Sequence, residues 1–134
     1  MIDSLIDAGE DFSVCRASIR LDSVFLEADG VPAIAGIEYM AQAVAAHGGY
    51  LDQLKGEPVK VGFLLGSPKF ETFVAHLPLG SQLRIHVQKD WGDDQMMRFR
   101  CQMFNDLDDT LLQQCDMNVY QPNDPRGYLD GAKQ

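Results

Sequence analysis

The sequence predicts an α+β domain in which an antiparallel sheet wraps around one long central helix. Three observations predict it. Residues 30–51 carry almost no charge, with Glu38 their only Asp, Glu, Lys or Arg. The apolar residues of that stretch recur at three- and four-residue steps, which is helical spacing. Beyond Pro58 the apolar period changes from 3.6 to 2, the signature of half-buried strands. Several strands segregated from one helix define an α+β layer.

The elements follow in order. Cys15, Ala17 and Ile19 alternate with Arg16, Ser18 and Arg20, which gives a first strand. Ile37, Met40, Ala41, Val44, Leu51 and Leu54 then form the helical stripe, and alanines cover most of the remaining circumference. A helix that is apolar nearly all round is a buried helix. Pro32 favours its start nearby and Gly56-Glu57-Pro58 ends it. Glu38, Gln42, His47 and Gly48-Gly49 interrupt the run of roughly 20 apolar residues that a membrane span requires, so no span is expected.

Val59, Val61, Phe63 and Leu65 alternate next. Gly66-Ser67-Pro68 interrupts before the run resumes at Phe70 to Val74, which predicts a bulge or bend in a long strand. Pro78-Leu79-Gly80 is a turn signal. Leu83, Ile85, Val87 and Trp91 alternate against Arg84, His86, Gln88 and Asp90. After a turn at Gly92-Asp93-Asp94, Met97, Phe99, Cys101 and Met103 mark another strand. A turn from Asn105 to Asp109 leads to the last, with Leu111, Cys115, Met117 and Val119. This organisation is one domain over residues 1–122, followed by a polar, turn-rich tail over 123–134. One helix covers only part of such a sheet, and the apolar remainder invites a second subunit.

Composition narrows the function. A chain of 134 residues buries roughly two-thirds of its unfolded surface and needs no disulfide or metal staple. The net charge of −9 argues against nucleic acid, because phosphate binding needs clustered Lys and Arg. Cys15, Cys101 and Cys115 lack CxxC spacing and make an odd count. They read as free thiols in a reducing cytoplasm. The N-terminus carries no signal-peptide pattern. Without a metal-ligand cluster or a glycine-rich phosphate loop, no metal and no cofactor is expected.

Glu38 is the sharpest candidate. Desolvation on an apolar helix favours the protonated carboxyl, and the helix N-terminus offsets part of that penalty. The dipole alone also favours Glu in a first turn, so the position has a structural as well as a functional reading. Gln42, four residues on, shares its face and could orient the carboxylate, bind substrate or be an ordinary polar residue. The helix-start amides around Gly36 and Ile37 could polarise a carbonyl oxygen. His47 lies nine residues after Glu38, so at about 100° per residue it points to the opposite face. It reads as a surface or interface histidine, as do His76 and His86.

GIEYMAQA at residues 36–43, GFLLGSPKF at 62–70 and PLGSQL at 78–83 together resemble the hotdog-fold 3-hydroxyacyl-(acyl carrier protein) dehydratases, the FabZ-like family. The likeness is nearest to the dehydratase-like proteins of aryl polyene biosynthesis (ApeP-like), through the FLxxDG pattern at 25–30 and NVYQP at 118–122. The resemblance implies a hotdog fold and a dimer with two central helices. It implies a catalytic pair made of a histidine just before one helix and a glutamate on the partner's helix. Glu38 matches that glutamate and Gln42 the glutamine that follows it. Helix-start amides near Gly36 and Ile37 would then hold the thioester carbonyl. Relatives also carry residues ahead of the match at Ile2, so the N-terminal segment reads as short.

The histidine has no counterpart: residues 21–35 contain none. Three readings follow. The chain could be a dehydratase with an unusual base, Asp29 or water, and Glu38 as acid. It could be a hotdog thioesterase using Glu38. It could be a non-catalytic subunit of a heterodimer with a histidine-bearing paralogue. The implied partner is an acyl thioester on acyl carrier protein or coenzyme A. Carrier proteins are acidic, so docking would need a local positive patch. Arg84 with His86, and Arg98 with Arg100, share the polar faces of adjacent strands and could supply it, or could be scattered charges on a solvated face.

Overall fold

The computed structural model describes residues 1–58, 62–93 and 95–121, and of Phe63 and Leu65 the backbone alone. The expected alternation through Val59 and Val61 and the tail lie outside the described residues.

The chain opens with a hairpin, β1 (Ser4–Ala8) and β2 (Phe12–Ser18). A short strand β3 (Val31–Pro32) leads through a 3₁₀ turn (Ala33–Ala35) into α1 (Gly36–Leu54). Beyond it come β4 (Phe63–Gly66), β5 (Glu71–Thr72), β6 (His76–Leu77), β7 (Gln82–Gly92), β8 (Met96–Asn105) and β9 (Leu111–Tyr120). The main sheet runs β1-β2-β7-β8-β9-β4, with β5 also on β9, and every pairing is antiparallel. A separate β3–β6 pair ties the helix entrance to the chain between β5 and β7. One long helix lies against one antiparallel sheet, the predicted α+β arrangement.

Alternation in the three long strands builds the core. Leu83, Ile85 and Val87 of β7, Phe99, Cys101 and Met103 of β8, and Cys115 and Met117 of β9 are buried. Tyr39, Met40, Ala43 and Val44 of α1 meet them in one cluster. The helix stops at a Schellman motif. Gly56 takes φ +69°, its N–H donates to the Gln53 carbonyl and the Glu57 N–H donates to the Asp52 carbonyl. That is the stop expected at Gly56-Glu57-Pro58. The interruption at 66–68 also falls as expected: β4 and β5 both pair with β9, and the register shifts between Leu64 and Gly66.

Three features differ from the sequence reading. β1 was not expected, because an edge strand whose residues are mostly exposed has no buried face to impose alternation. Trp91 is not inward with Leu83, Ile85 and Val87. A register shift between Lys89 and Trp91 pairs Trp91 with Arg98 on the outer face, where it is 53% exposed. The helix is also not buried all round. Its own sheet covers Gly36, Tyr39, Met40, Ala43, Val44 and His47, whereas Glu38 and Ala45 are exposed. Ile34, in the turn before it, is 65% exposed.

One polar residue locks the helix entrance to the sheet. Gln113 is fully buried on the inward face of β9. Its Nε2 donates to the Ala33 carbonyl at 2.8 Å and to Thr72 Oγ1 at 3.2 Å. The position of Gly36 follows from it: a Cβ there would collide with Gln113 Oε1. Gln113→Leu keeps the volume but removes the donor from a buried carbonyl, so a loss of about 1–3 kcal/mol is expected in urea unfolding. An unchanged midpoint would show that this link contributes nothing.

Candidate functional site

The approach to α1 is a constrained piece of chain. In the FLxxDG segment, Phe25 takes φ +71° and Gly30 φ +113°. Glu27 and Gly30 exchange both backbone hydrogen bonds, at 3.0 and 3.1 Å. A Cβ on Gly30 would lie 2.5 Å from the Leu77 carbonyl oxygen. Only glycine lets the turn pass so close to β6. Asp29 is exposed in this turn, and no hydrogen bond or ion pair among the described residues directs it toward the helix.

Glu38 follows two residues into α1, the sole acidic residue of its first turn. It is exposed, and among the described residues nothing pairs with it. The desolvation expected from the sequence is therefore not supplied by this chain's own fold. Glu38 stands instead on the uncovered face with Ile34 and Ala45. Ile37 faces the other way, partly buried against the core. The Gly36 N–H is turned onto the Ala33 carbonyl by the 3₁₀ turn, so this amide is engaged rather than presented. Gln42 does not orient Glu38: its Oε1 accepts the Ile2 N–H at 3.2 Å and holds the N-terminal segment against the helix.

The basic patch is also altered. Arg84, His86, Arg98 and Arg100 do share the outer face of β7 and β8. Arg84, however, donates to Asp106 at 3.0 Å and Asp109 at 2.6 Å. Its Nε donates to His86 Nε2 at 2.9 Å, and its guanidinium lies over the Phe104 ring. Two carboxylates neutralise it. Arg98 donates to Asn118 Oδ1 at 2.9 Å and stacks near Trp91. Arg100 is 63% exposed, with Asp116 only at 4.0 Å. The outward cationic character is carried by Arg98 and Arg100.

One histidine, His76, is partly exposed as expected but gains a neighbour, and another, His47, is buried where a surface residue was expected. His76 of β6 pairs with Pro32, which brings it beside the helix entrance although forty-odd residues intervene; a two-residue strand leaves no periodic signal. His47 is buried, 1% exposed, edge-on to Phe99 at 6.0 Å. It is neither a surface nor an exposed interface residue. Its place was legible, since residues 40, 44, 47 and 51 form one stripe and His47 is a member. Among the described residues no group of His, Cys, Asp and Glu could hold a metal ion. No helix among them is long and apolar enough to cross a membrane.

A single antiparallel sheet wrapped on one long helix, with a lone carboxylate on the helix's first turn, defines a protein of the hotdog class. The sequence model of the ApeP-like family, described as ApeP dehydratase, matches residues 1–130, and the chain belongs to that family. Its fold is similar to that of the dehydratase heterocomplex ApeI:P from Xenorhabdus doucetiae, with a TM-score of 0.86 and 25% identity over 96% of this chain and 86% of that one. A Streptococcus mutans protein bound to acetyl coenzyme A shares the fold at TM-score 0.68 and 11% identity, over 91% of this chain and 89% of that one. The PaaI protein of the Escherichia coli phenylacetic acid degradation operon does so at 0.69 and 11%, over 91% and 80%. No curated protein matches the sequence.

Burial pushes both His47 and His86 below the usual histidine range, and the Arg84 guanidinium adds to this at His86. Such a group supports the fold above its unfolded pKa, about 6.5, and that support is lost as pH falls from there toward the lowered folded value. The melting temperature should therefore drop between about pH 7.5 and 5.5, and drop less in His86→Gln than in the parent chain. Equal drops would remove His86 from the acid response.

Proposed function

We propose that the chain is one subunit of a 3-hydroxyacyl-thioester dehydratase and supplies Glu38 as the acid to a site completed by a second subunit. The observation that carries this reading is the placement of Glu38: without a partner among the described residues, on the first turn of α1, on an apolar helix face that the chain's own sheet leaves uncovered. A second hotdog subunit laid on that face would desolvate the carboxyl and favour its protonated form. Membership of a dehydratase family supports the reaction. The similar Xenorhabdus doucetiae structure is a heterocomplex, which supports pairing with a histidine-bearing paralogue.

In the reaction a base removes a proton from C2 of the thioester. The C3–O bond breaks as Glu38 protonates the hydroxyl, water departs and the C2–C3 double bond forms. A donor at the helix entrance would hold the thioester carbonyl while charge develops on it. With the Gly36 N–H engaged in the 3₁₀ turn, the next amide, that of Ile37, is the better placed of the two. The buried free thiols at Cys15, Cys101 and Cys115 fit a reducing cytoplasm.

Glu38→Gln is expected to cut enoyl formation from a 3-hydroxyacyl-pantetheine thioester by about 100-fold or more in the paired enzyme. The melting temperature of the chain alone should not change, because there the side chain is exposed. Unimpaired turnover would remove Glu38 from the mechanism, and free-thiol release in place of enoyl product would make the protein a thioesterase. A second reading rests on His76. Its pairing with Pro32 beside the helix entrance makes it a candidate base, preferable to the exposed Asp29, for a homodimer that works alone. Activity of the purified chain that is lost in His76→Ala would select this reading.

Carrier docking falls to Arg98 and Arg100 rather than to the neutralised Arg84. Charge reversal at both is expected to weaken carrier-protein binding, most at low salt. Unchanged affinity would place the docking surface elsewhere.

A further inference from the structure

The three buried free thiols are not equivalent. Cys15 of β2 stands between Leu5 of β1 and Ile85 of β7, so neither cross-strand neighbour carries a sulfur. Burial pushes its thiol up to about 11. Cys101 and Cys115 are instead direct partners in the register of β8 and β9, and both are buried on the inward face of the sheet. Directly opposed residues of an antiparallel pair have Cα atoms about 4.5–5.5 Å apart. That lies inside the roughly 4.4–6.8 Å that a disulfide spans. A third sulfur extends the row, for Met40 Sδ of α1 lies 3.9 Å from Cys115 Sγ.

The pair holds its protons unequally. The Cys101 S–H donates to the Cys115 sulfur, which pulls the Cys115 thiol below its usual range although burial opposes this. The same hydrogen bond, with burial added, pushes Cys101 well up. The thiolate is the reactive form of cysteine, so Cys115 has the character of a nucleophile and Cys101 that of the thiol which resolves it. The next paired row, Phe99 opposite Met117, lines a cavity of about 460 Å³ between α1 and the sheet. A molecule as small as hydrogen peroxide that enters this cavity meets the row adjoining the two thiols without having to cross the sheet.

We propose that Cys101 and Cys115 form a redox modification site, a dithiol that a hydroperoxide converts into a disulfide joining β8 to β9. The Cys115 thiolate attacks one peroxide oxygen and the O–O bond breaks. The departing hydroxide takes up a proton as water and leaves a sulfenic acid on Cys115. The Cys101 sulfur then attacks the sulfenic sulfur. The S–O bond breaks, and its oxygen leaves as a second water with the Cys101 proton. Two thiols are oxidised by two electrons and one peroxide is reduced to two waters. A dithiol reductant reverses the modification by exchange. The proposal needs neither Glu38 nor a second subunit, and Cys15 serves as its internal control.

The test is exposure of the folded full chain to hydrogen peroxide, followed by alkylation of the remaining thiols in denaturant and peptide mass spectrometry. An intramolecular Cys101–Cys115 disulfide is expected, with the loss of two hydrogens, and dithiothreitol should remove it. Cys15 should stay reduced, with an oxidation rate at least about tenfold below that of the pair. In Cys101→Ser a dimedone adduct should collect on Cys115, because the resolving thiol is gone. In Cys15→Ser the disulfide should form as in the parent chain. A pair that stays reduced while Cys15 or Met40 is oxidised, or oxidation of all three cysteines at one rate, would overturn the proposal. So would a disulfide only between chains. The parent chain alone supplies these outcomes, so the proposal remains open to refutation even where a variant fails to fold.

Discussion

The sheet covers Tyr39, Met40, Ala43 and Val44 and leaves Ile34, Glu38 and Ala45 in water, and the rest of the molecule is arranged around that division of one helix into two faces. An antiparallel sheet can wrap only one side of a helix it packs against. A helix that is apolar on both sides therefore has unfinished burial, which costs free energy roughly in proportion to the apolar area left in water. The covered face holds the fold together. The uncovered face sets up the proposed chemistry, because the carboxyl that would act as acid lies on it.

The helix entrance is held with more constraint than its other parts. The Glu27–Gly30 turn, the β3–β6 pair and the Gln113 side chain converge on the residues just before Gly36. Each fixes backbone rather than contributing a reactive group. Their combined effect is to set where the first turn of α1 begins, and so where Glu38 projects. Gln42 belongs to the same framework through the Ile2 N–H. A site built on a rigid helix start retains its geometry better than one carried on a loop.

Much of this was legible in the sequence, for reasons that can be named. The three long strands and the helix have periodic buried faces, so their spacing marks them. The Gly56 stop has its own turn chemistry. What periodicity cannot carry is an element without a buried face, such as β1, or one too short to repeat, such as β3 and β6. The Lys89–Trp91 shift inverted the side of one residue, because a strand's two faces exchange with a single extra position. Glu38 was found by its isolation among apolar neighbours, whereas its exposure depends on how much of the helix one sheet can reach. The basic residues were placed on the correct face. Their ion pairs were not legible, since Asp106 and Asp109 come from a turn more than twenty residues from Arg84.

A second hotdog subunit is proposed to complete the Glu38 face of α1. Sedimentation velocity on the parent chain and on Ala45→Arg, each alone and with a histidine-bearing paralogue, tests it most directly. Ala45 is exposed in the single chain, so the substitution leaves the fold intact while placing a charge at the centre of the proposed contact. The parent chain is expected to sediment as a dimer or larger assembly in at least one of the two conditions, and Ala45→Arg to remain a monomer in both. A parent chain that stays monomeric throughout, or an Ala45→Arg chain that assembles as well as the parent, would contradict it.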